Sequence, residues 1–469
     1  VCHQPVISVI PMVLVLLVGG CLPAGMSDPP APPGGLESDE FTLVSHGGFD
    51  WLDDLLDKND YAWGMESFRG DEQSTGYIYV ATGNAMVSLM SQGMGAMVGG
   101  AALGEISARP PEMRRYRPDL GEKVWERVLD YRNIENDPHF ETIGFRHMKV
   151  YRARSNGVNY LYAATFGKNA TLWRSRNGDP MNWELTWQSG EMGSVRMMAE
   201  HNGLLYLALA NDTPVAGRIG KIWATDGQQF WSVIEDGFGD PNNIGIMSLI
   251  SYNGWLYAGT MNTAEGYQVW KLEGPEGSTG PNLVVDHGGP SSSNESAVTP
   301  CLFQDRLYWG AMIYMLNMLD FRGADIIRIN PDDTWETVVG TNSISGYGPG
   351  FGHWPNTYVW SMAVYNGWLY AGTYDMASSL THMVPSLTLS NLPGRLTSRP
   401  PNLLDFLLQS GADLYKTHDG ITWYPVTLNG LNNGENYGFR TLLATDDGLY
   451  VGTANPFTGL QIWKGTAPE

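Results

Sequence analysis

Apolar and polar residues alternate with a period of two along most of this chain, and Gly, Asn and Asp interrupt the alternation at short intervals. That pattern predicts half-buried β-strands joined by tight turns. One stretch of it recurs seven times: Tyr77-Ile-Tyr79-Val-Ala-Thr-Gly83, Leu161-Tyr162-Ala-Ala-Thr165, Leu205-Tyr206-Leu-Ala-Leu209, Leu256-Tyr257-Ala-Gly-Thr260, Leu307-Tyr308-Trp-Gly-Ala311, Leu369-Tyr370-Ala-Gly-Thr373 and Leu449-Tyr450-Val-Gly-Thr453. The landmark tyrosines stand 44 to 83 residues apart. A repeat of that length means stacked copies of one supersecondary unit, none of which buries its apolar face alone.

Each copy carries four alternating segments; in the third these are Val195–Ala199, Leu204–Ala208, Lys221–Ala224 and Phe230–Ile234. Asn202-Gly203, Asn253-Gly254, Asn366-Gly367 and Asp447-Gly448 fall in the same first hairpin, where a tight turn needs positive φ. The third segment carries a bulky side chain at one place in every copy: Trp125, Trp173, Trp223, Trp270, Ile327, Tyr415 and Trp463. This predicts packing between neighbouring sheets. The last copy stops after its third segment, at Lys464, while Phe41–Gly48 matches Leu283–Gly289, the fourth segment of another copy. The expected fold is therefore all-β, a seven-bladed β-propeller of four-stranded antiparallel blades. Residues 41–48 complete the last blade, and closure removes the exposed ends of the stack.

The expected organisation is a signal segment over 1–20, a Pro/Gly-rich tether over 21–40, and the β-propeller over 41–469 with insertions at 84–120, 313–322 and 375–411. The first twenty residues hold no Lys, Arg, Asp or Glu, and Ile7–Val18 is apolar but too short for a comfortable membrane span. Val18-Gly19-Gly20-Cys21 resembles a bacterial lipoprotein box, which implies lipidation at Cys21 and an exported, periplasmic or cell-surface protein. The chain carries 28 Lys and Arg against 49 Asp and Glu, a net charge of -21. Such a surface repels nucleic acid and anionic lipid, so the only membrane contact expected is through the lipid anchor. No cysteine spacing suits zinc or haem, Cys301 reads as a small core residue, and no cofactor is expected.

The turns between third and fourth segments read Lys416-Thr417-His418-Asp419-Gly420-Ile421-Thr422-Trp423, Ala224-Thr225-Asp226-Gly227 before Trp231, and Ser175-Arg176-Asn177-Gly178 before Trp183. They resemble Asp-boxes, the hairpin signature of the sialidase-like BNR-repeat propellers. In that hairpin an Asp side chain caps the turn and the Trp packs beneath it. Sialidases have six blades, and a fold of this kind does not carry function by itself.

All three insertions fall between second and third segments, so they rise over one face of the ring, as binding loops do. Counting ten residues back from the landmark tyrosines gives Arg196, Met247, Val298, Trp360 and Arg440, and Arg146 takes that place in the second copy. Four residues earlier stand Asn243, Asn294, Asn356 and Asn436. Arg146, Arg196, Arg440, Trp360, Asn356 and Asn436 are the candidate ligand-binding set. Three inward arginines attract a carboxylate or sulfate, and equally they satisfy carbonyls of an adjoining blade. The resemblance implies that sialidases hold a sugar carboxylate with an arginine trio. A retaining reaction would need a nucleophile such as Tyr437 with Glu66 or Glu435, and an acid such as Asp375.

Met312, Met315 and Met318 read first as an apolar, gap-filling lid, with a spacing that also suits Cu(I). The expected function is binding of a carbohydrate, an anionic small molecule or an envelope protein through the inserted face. A sialidase-like glycoside hydrolase and a structural cell-surface protein are the alternatives.

Overall fold

The computed structural model describes residues 32, 34–49, 58–70, 73, 75–84, 110–130, 142–210, 219–274, 280–313, 321–378 and 410–467. The chain divides into two units, Val1–Pro33 and Gly34–Glu469, and the architecture below is that of the second. The signal segment and Cys21 lie outside the described residues.

Strand β1 (Phe41–Leu43) comes first. A run of four follows, each strand antiparallel to the one before: β2 (Tyr61–Phe68), β3 (Tyr77–Gly83), β4 (Glu112–Tyr116) and β5 (Trp125–Asp130). The same meander repeats in β6 (Thr142–Arg152), β7 (Asn159–Gly167), β8 (Thr171–Ser175) and β9 (Glu184–Gln188). Next come β10 (Gly193–His201), β11 (Leu204–Ala210), β12 (Lys221–Thr225) and β13 (Phe230–Ile234). Then β14 (Asn243–Tyr252), β15 (Trp255–Asn262), β16 (Val269–Leu272) and β17 (Asn282–Val285). A further run is β18 (Ser296–Phe303), β19 (Arg306–Met312), β20 (Ile326–Ile329) and β21 (Trp335–Val339). After it stand β22 (Asn356–Tyr365), β23 (Trp368–Asp375), β24 (Leu414–Thr417) and β25 (Trp423–Thr427). The last run is β26 (Gly438–Thr445), β27 (Gly448–Ala454) and β28 (Ile462–Gly465), and its fourth strand is β1, with Phe41 opposite Gly465 and Leu43 opposite Trp463. Val44 N donates to Ile462 O at 2.9 Å and Gly48 N to Leu460 O at 2.8 Å, which extends the pairing along 41–48.

Short bridges join the second strand of each run to the first strand of the next, from Gly83 opposite Gly144 round to Ala454 opposite Tyr61. The fold is all-β, with 28 strands among the described residues and a closed antiparallel sheet of 14. The third and fourth strands of each run lie outside that closed sheet.

The recurrent tyrosine locks one run to the next. Tyr257 Oη donates to Asp333 Oδ1 at 2.6 Å, Tyr308 Oη to Gly420 O at 3.3 Å, and Tyr370 Oη accepts from Leu36 N at 2.8 Å. Turns between third and fourth strands are capped by side chains. Asp419 Oδ1 accepts from Ile421 N and Thr422 N at 2.8 and 2.7 Å, and Asp226 Oδ1 from Gln228 N and Gln229 N at 2.8 Å.

Two boundaries differ from the sequence pattern. The third strand of the first run is Glu112–Tyr116, inside the range 84–120 taken as an insertion, and Trp125 belongs to the fourth strand. Arg114, opposite Val80, stands where the other runs place a bulky ring or, in one, Ile327. Its charge hides the alternation, yet it fits because Glu112 pairs with it at 2.7 Å, while Arg115 pairs with Glu126 and Asp179 at 2.6 Å. Residues 34–40, taken as the end of a tether, are seated on the closed unit. Leu36 is buried there, and Lys416 Nζ donates to Gly35 O at 3.0 Å and Leu36 O at 2.9 Å. Cys301 is half-buried on β18, and burial pushes its thiol up to about 12.

Candidate functional site at one mouth of the closed sheet

The first strand of every run carries a β-bulge at one level, and the extra residues are Trp63, Arg146, Arg196, Met247, Val298, Trp360 and Arg440. A bulge adds one residue to one strand and re-aims its side chain. Five of these positions emerge from the ten-residue count along the sequence, and Arg146 takes the equivalent place in a longer hairpin. Trp63 escapes it because the hairpin from β2 to β3 is longer, although its register is the same.

Trp63, Met247, Val298 and Trp360 belong to one buried cluster with Tyr61, Phe166, Ala210, Met261, Met312, Ile313, Tyr374, Met376, Tyr437 and Ala454. Every run contributes, chiefly from the start of its first strand or the end of its second. The cluster therefore spans the ring at that mouth. Its rings meet edge to face, Tyr61 lying 5.7 Å from Trp360 and 5.8 Å from Tyr437, and Tyr374 lying 5.2 Å from Trp360. The Arg146 guanidinium sits 4.6 Å above Trp63 and 5.4 Å above Phe166, and Arg440 sits 5.1 Å above Trp360. These contacts are cation–π stacking, favoured by guanidinium groups. Arg196 is buried on β10.

The asparagines hold the fold together. Asn356 Nδ2 donates to Gly350 O at 3.0 Å and Asp413 Oδ2 at 2.7 Å. Asn436 donates to Gly430 O at 2.9 Å and Gln461 Oε1 at 2.7 Å, and Asn243 makes the same pair with Gly237 and Gln268. Each thus ties the entry of a first strand to the entry of the third strand in the same run. With both amide protons spent, neither Asn356 nor Asn436 has a donor to offer a ligand.

Asp375 is fully buried at the end of β23. Its Oδ1 accepts from Ala377 N at 2.8 Å, and its Oδ2 from Ser378 Oγ at 2.7 Å and Gly411 N at 3.1 Å. Burial pushes this carboxyl up to about 6 despite those bonds. Asp413 is pushed up to about 7, first by burial and also by the charge of Asp375. The raised values mean that the folded chain holds these protons more tightly than the unfolded one. Their contribution to stability is present below the ordinary carboxylate value, and is lost as pH rises through 6 and 7. Asp413→Asn keeps an acceptor for Asn356 and removes the buried charge. It is expected to gain on the order of 3 kcal/mol over the wild type at pH 8 and little at pH 4. Urea denaturation at both values measures this, and a gain no larger at pH 8 than at pH 4 refutes it.

Among the catalytic candidates, Tyr437 and Asp375 are backbone neighbours, with Asp375 N donating to Tyr437 O at 2.7 Å. The Tyr437 hydroxyl is hydrogen-bonded to that of Tyr61. Burial, then the neighbouring phenols, pushes Tyr437 far above the ordinary tyrosine value. Glu66 lies five residues along β2 from Tyr61, roughly 16 Å at the usual strand rise, so it does not meet Tyr437. Glu435 Oε2 accepts from Thr458 Oγ1 at 2.6 Å. Met315 and Met318 lie outside the described residues, and Met312 packs in the aromatic cluster. Among the described residues no group of three His, Cys, Asp or Glu is placed to hold a metal ion, and no helix is long and apolar enough to cross a membrane. No protein-family model matches the chain, and no curated protein matches it.

Proposed function

We propose that the closed sheet is a seven-bladed β-propeller with Asp-box-like turns, exported on a lipid anchor at Cys21. It binds a carbohydrate, an anionic small molecule or an envelope protein through the face that carries the insertions. One observation carries this reading: the roots of all three insertions converge on the arginine-backed aromatic mouth. Gly83 lies against Trp63, Met312 and Ile313 are in the cluster, and so are Tyr374 and Met376. Long connections gathered over one mouth of a rigid ring are where such scaffolds place recognition. The arginines supply positive charge on a chain of net charge -21, which favours an acidic ligand group.

A glycan array on the purified protein, with a panel of small carboxylates beside it, tests the reading. The expected result is retention of acidic ligands, weakened about tenfold or more in Arg196→Ala and Arg440→Ala. Binding that is equal in both variants and the wild type removes the mouth as the site.

A further inference from the structure

A cleft of about 80 Å³ opens between the second and third runs, where β10 and β12 begin. Its wall is largely apolar: Ala170, Leu209 and Ala210 are buried there, and Ile219 is half-buried. An opposed pair of charges lines it too. Glu191 belongs to the connection from β9 to β10, and Lys221 opens β12 opposite Leu209. Lys221 Nζ donates to Glu191 Oε1 at 2.6 Å, so the pair links one run to the next across the cleft. Among the described residues the buried Oγ of Ser194, another lining residue, has no hydrogen-bond partner.

The cleft is held in shape on both sides. Ser189 Oγ donates to Glu191 O at 2.7 Å and accepts from Ala170 N at 3.1 Å, and Ser189 N donates to Ala170 O at 2.8 Å. These bonds fix the turn that carries Glu191. Two residues along β12, on the face that carries Lys221, Trp223 meets Trp187 of the second run at 5.6 Å. Trp187 in turn stacks on Phe230 at 6.0 Å. The three rings close the groove between the runs beyond the cleft. The ion pair itself is wet, with side chains 29% and 54% exposed, so opening it costs little. A lone anion or cation entering here would take one partner and leave the other unpaired. A wholly apolar molecule would gain nothing from either charge. A zwitterion satisfies both at once and exchanges one wet ion pair for two shielded ones. The volume sets the size of what lies against the wall. A cavity of roughly 150 Å³ holds one benzene, so about half of that takes a short aliphatic group and not an aromatic ring.

We propose that this cleft binds a free α-amino acid with a short aliphatic side chain. Its ammonium meets Glu191, its carboxylate meets Lys221, and its side chain lies against Ala170, Leu209 and Ala210. The site is separate from the arginine-backed mouth and stands whether or not that mouth binds anything.

Equilibrium dialysis of the purified protein against radiolabelled L-valine at neutral pH tests this. Saturable retention is expected. Isovalerate, which lacks the ammonium, and isobutylamine, which lacks the carboxylate, should each displace valine only at about tenfold or more higher concentration than unlabelled valine does. L-Phenylalanine should compete as poorly, because its ring exceeds the cleft. Glu191→Gln and Lys221→Met should each weaken retention about tenfold or more. Both variants should keep the urea midpoint of the wild type, since the pair they break is exposed, and this separates lost binding from lost fold. The proposal is overturned if valine shows no saturable retention at millimolar concentration. It is overturned equally if isovalerate, isobutylamine or phenylalanine competes as well as valine, or if either variant retains valine as the wild type does.

Discussion

Replacing Gly144 by alanine is expected to cost about 3 kcal/mol or more of stability, among the largest effects of any single methyl group in this protein. Trp63, extruded by the bulge on β2, lies against the bare backbone of two glycines. A Cβ at Gly83 or at Gly144 would come within 2.2 Å of its ring. A Cβ at Gly438 would meet Trp360 at the same distance. None of these three glycines has positive φ, so the requirement is for space alone and not for backbone freedom. The indole has no room to retreat, because Tyr61, Phe166 and Arg146 pack round it. Gly280→Ala is the control, since nothing lies within 4 Å of its Cβ position. Urea midpoints decide the matter. If Gly144→Ala and Gly280→Ala unfold together, the tryptophan does not seal the junction between β2 and β6. In Trp63→Leu/Gly144→Ala the two losses should partly cancel, because they act on one shared volume.

Lys416→Met is expected to destabilise the chain by roughly 3 kcal/mol and to release the segment that closes it. The ammonium is fully buried and donates to Gly35 O and Leu36 O, with Glu37 Oε1 at 2.5 Å. Methionine keeps an aliphatic stem but loses the ammonium that sits 5.3 Å above Trp368, and leaves two carbonyls and a carboxylate without their donor. The segment so anchored leads straight into β1, which supplies the outer strand of the last run. Hydrogen exchange should therefore accelerate at Phe41–Leu43, and protease should cut within residues 34–40 of the variant first. Exchange at β1 as slow as in the wild type would mean that the clamp is dispensable and that the β1–β28 pairing alone closes the sheet.

The repeat was legible because its cause is local. Leu-Tyr phrases with small residues after them mark second strands, and Asn-Gly turns mark the hairpin before them. The match between Phe41–Gly48 and Leu283–Gly289 was enough to place the closing strand, which pairs as expected along 460–465. The ten-residue count back from tyrosine found the bulge positions without any sign of a bulge, since equal hairpins keep equal registers. It missed Trp63 where the hairpin lengthens, and the third-segment pattern missed Arg114, where a charge replaces an apolar side chain.

The candidate site was legible as a set of positions and not as a set of contacts. Arg146 and Arg440 were candidates either to face an anion or to satisfy an adjoining blade, and their guanidinium groups lie on Trp63 and Trp360. Asn356 and Asn436 were candidate ligand contacts, and their amide protons go to Gly350, Asp413, Gly430 and Gln461. Which partner satisfies a polar side chain depends on residues dozens of positions away, brought close only when the ring closes. Periodicity and turn chemistry, being short-range, determined the strands, their order and the closing segment. What fills the mouth, what lines the axis and which carboxylates are buried are set by packing between runs, and only the tertiary structure decides them.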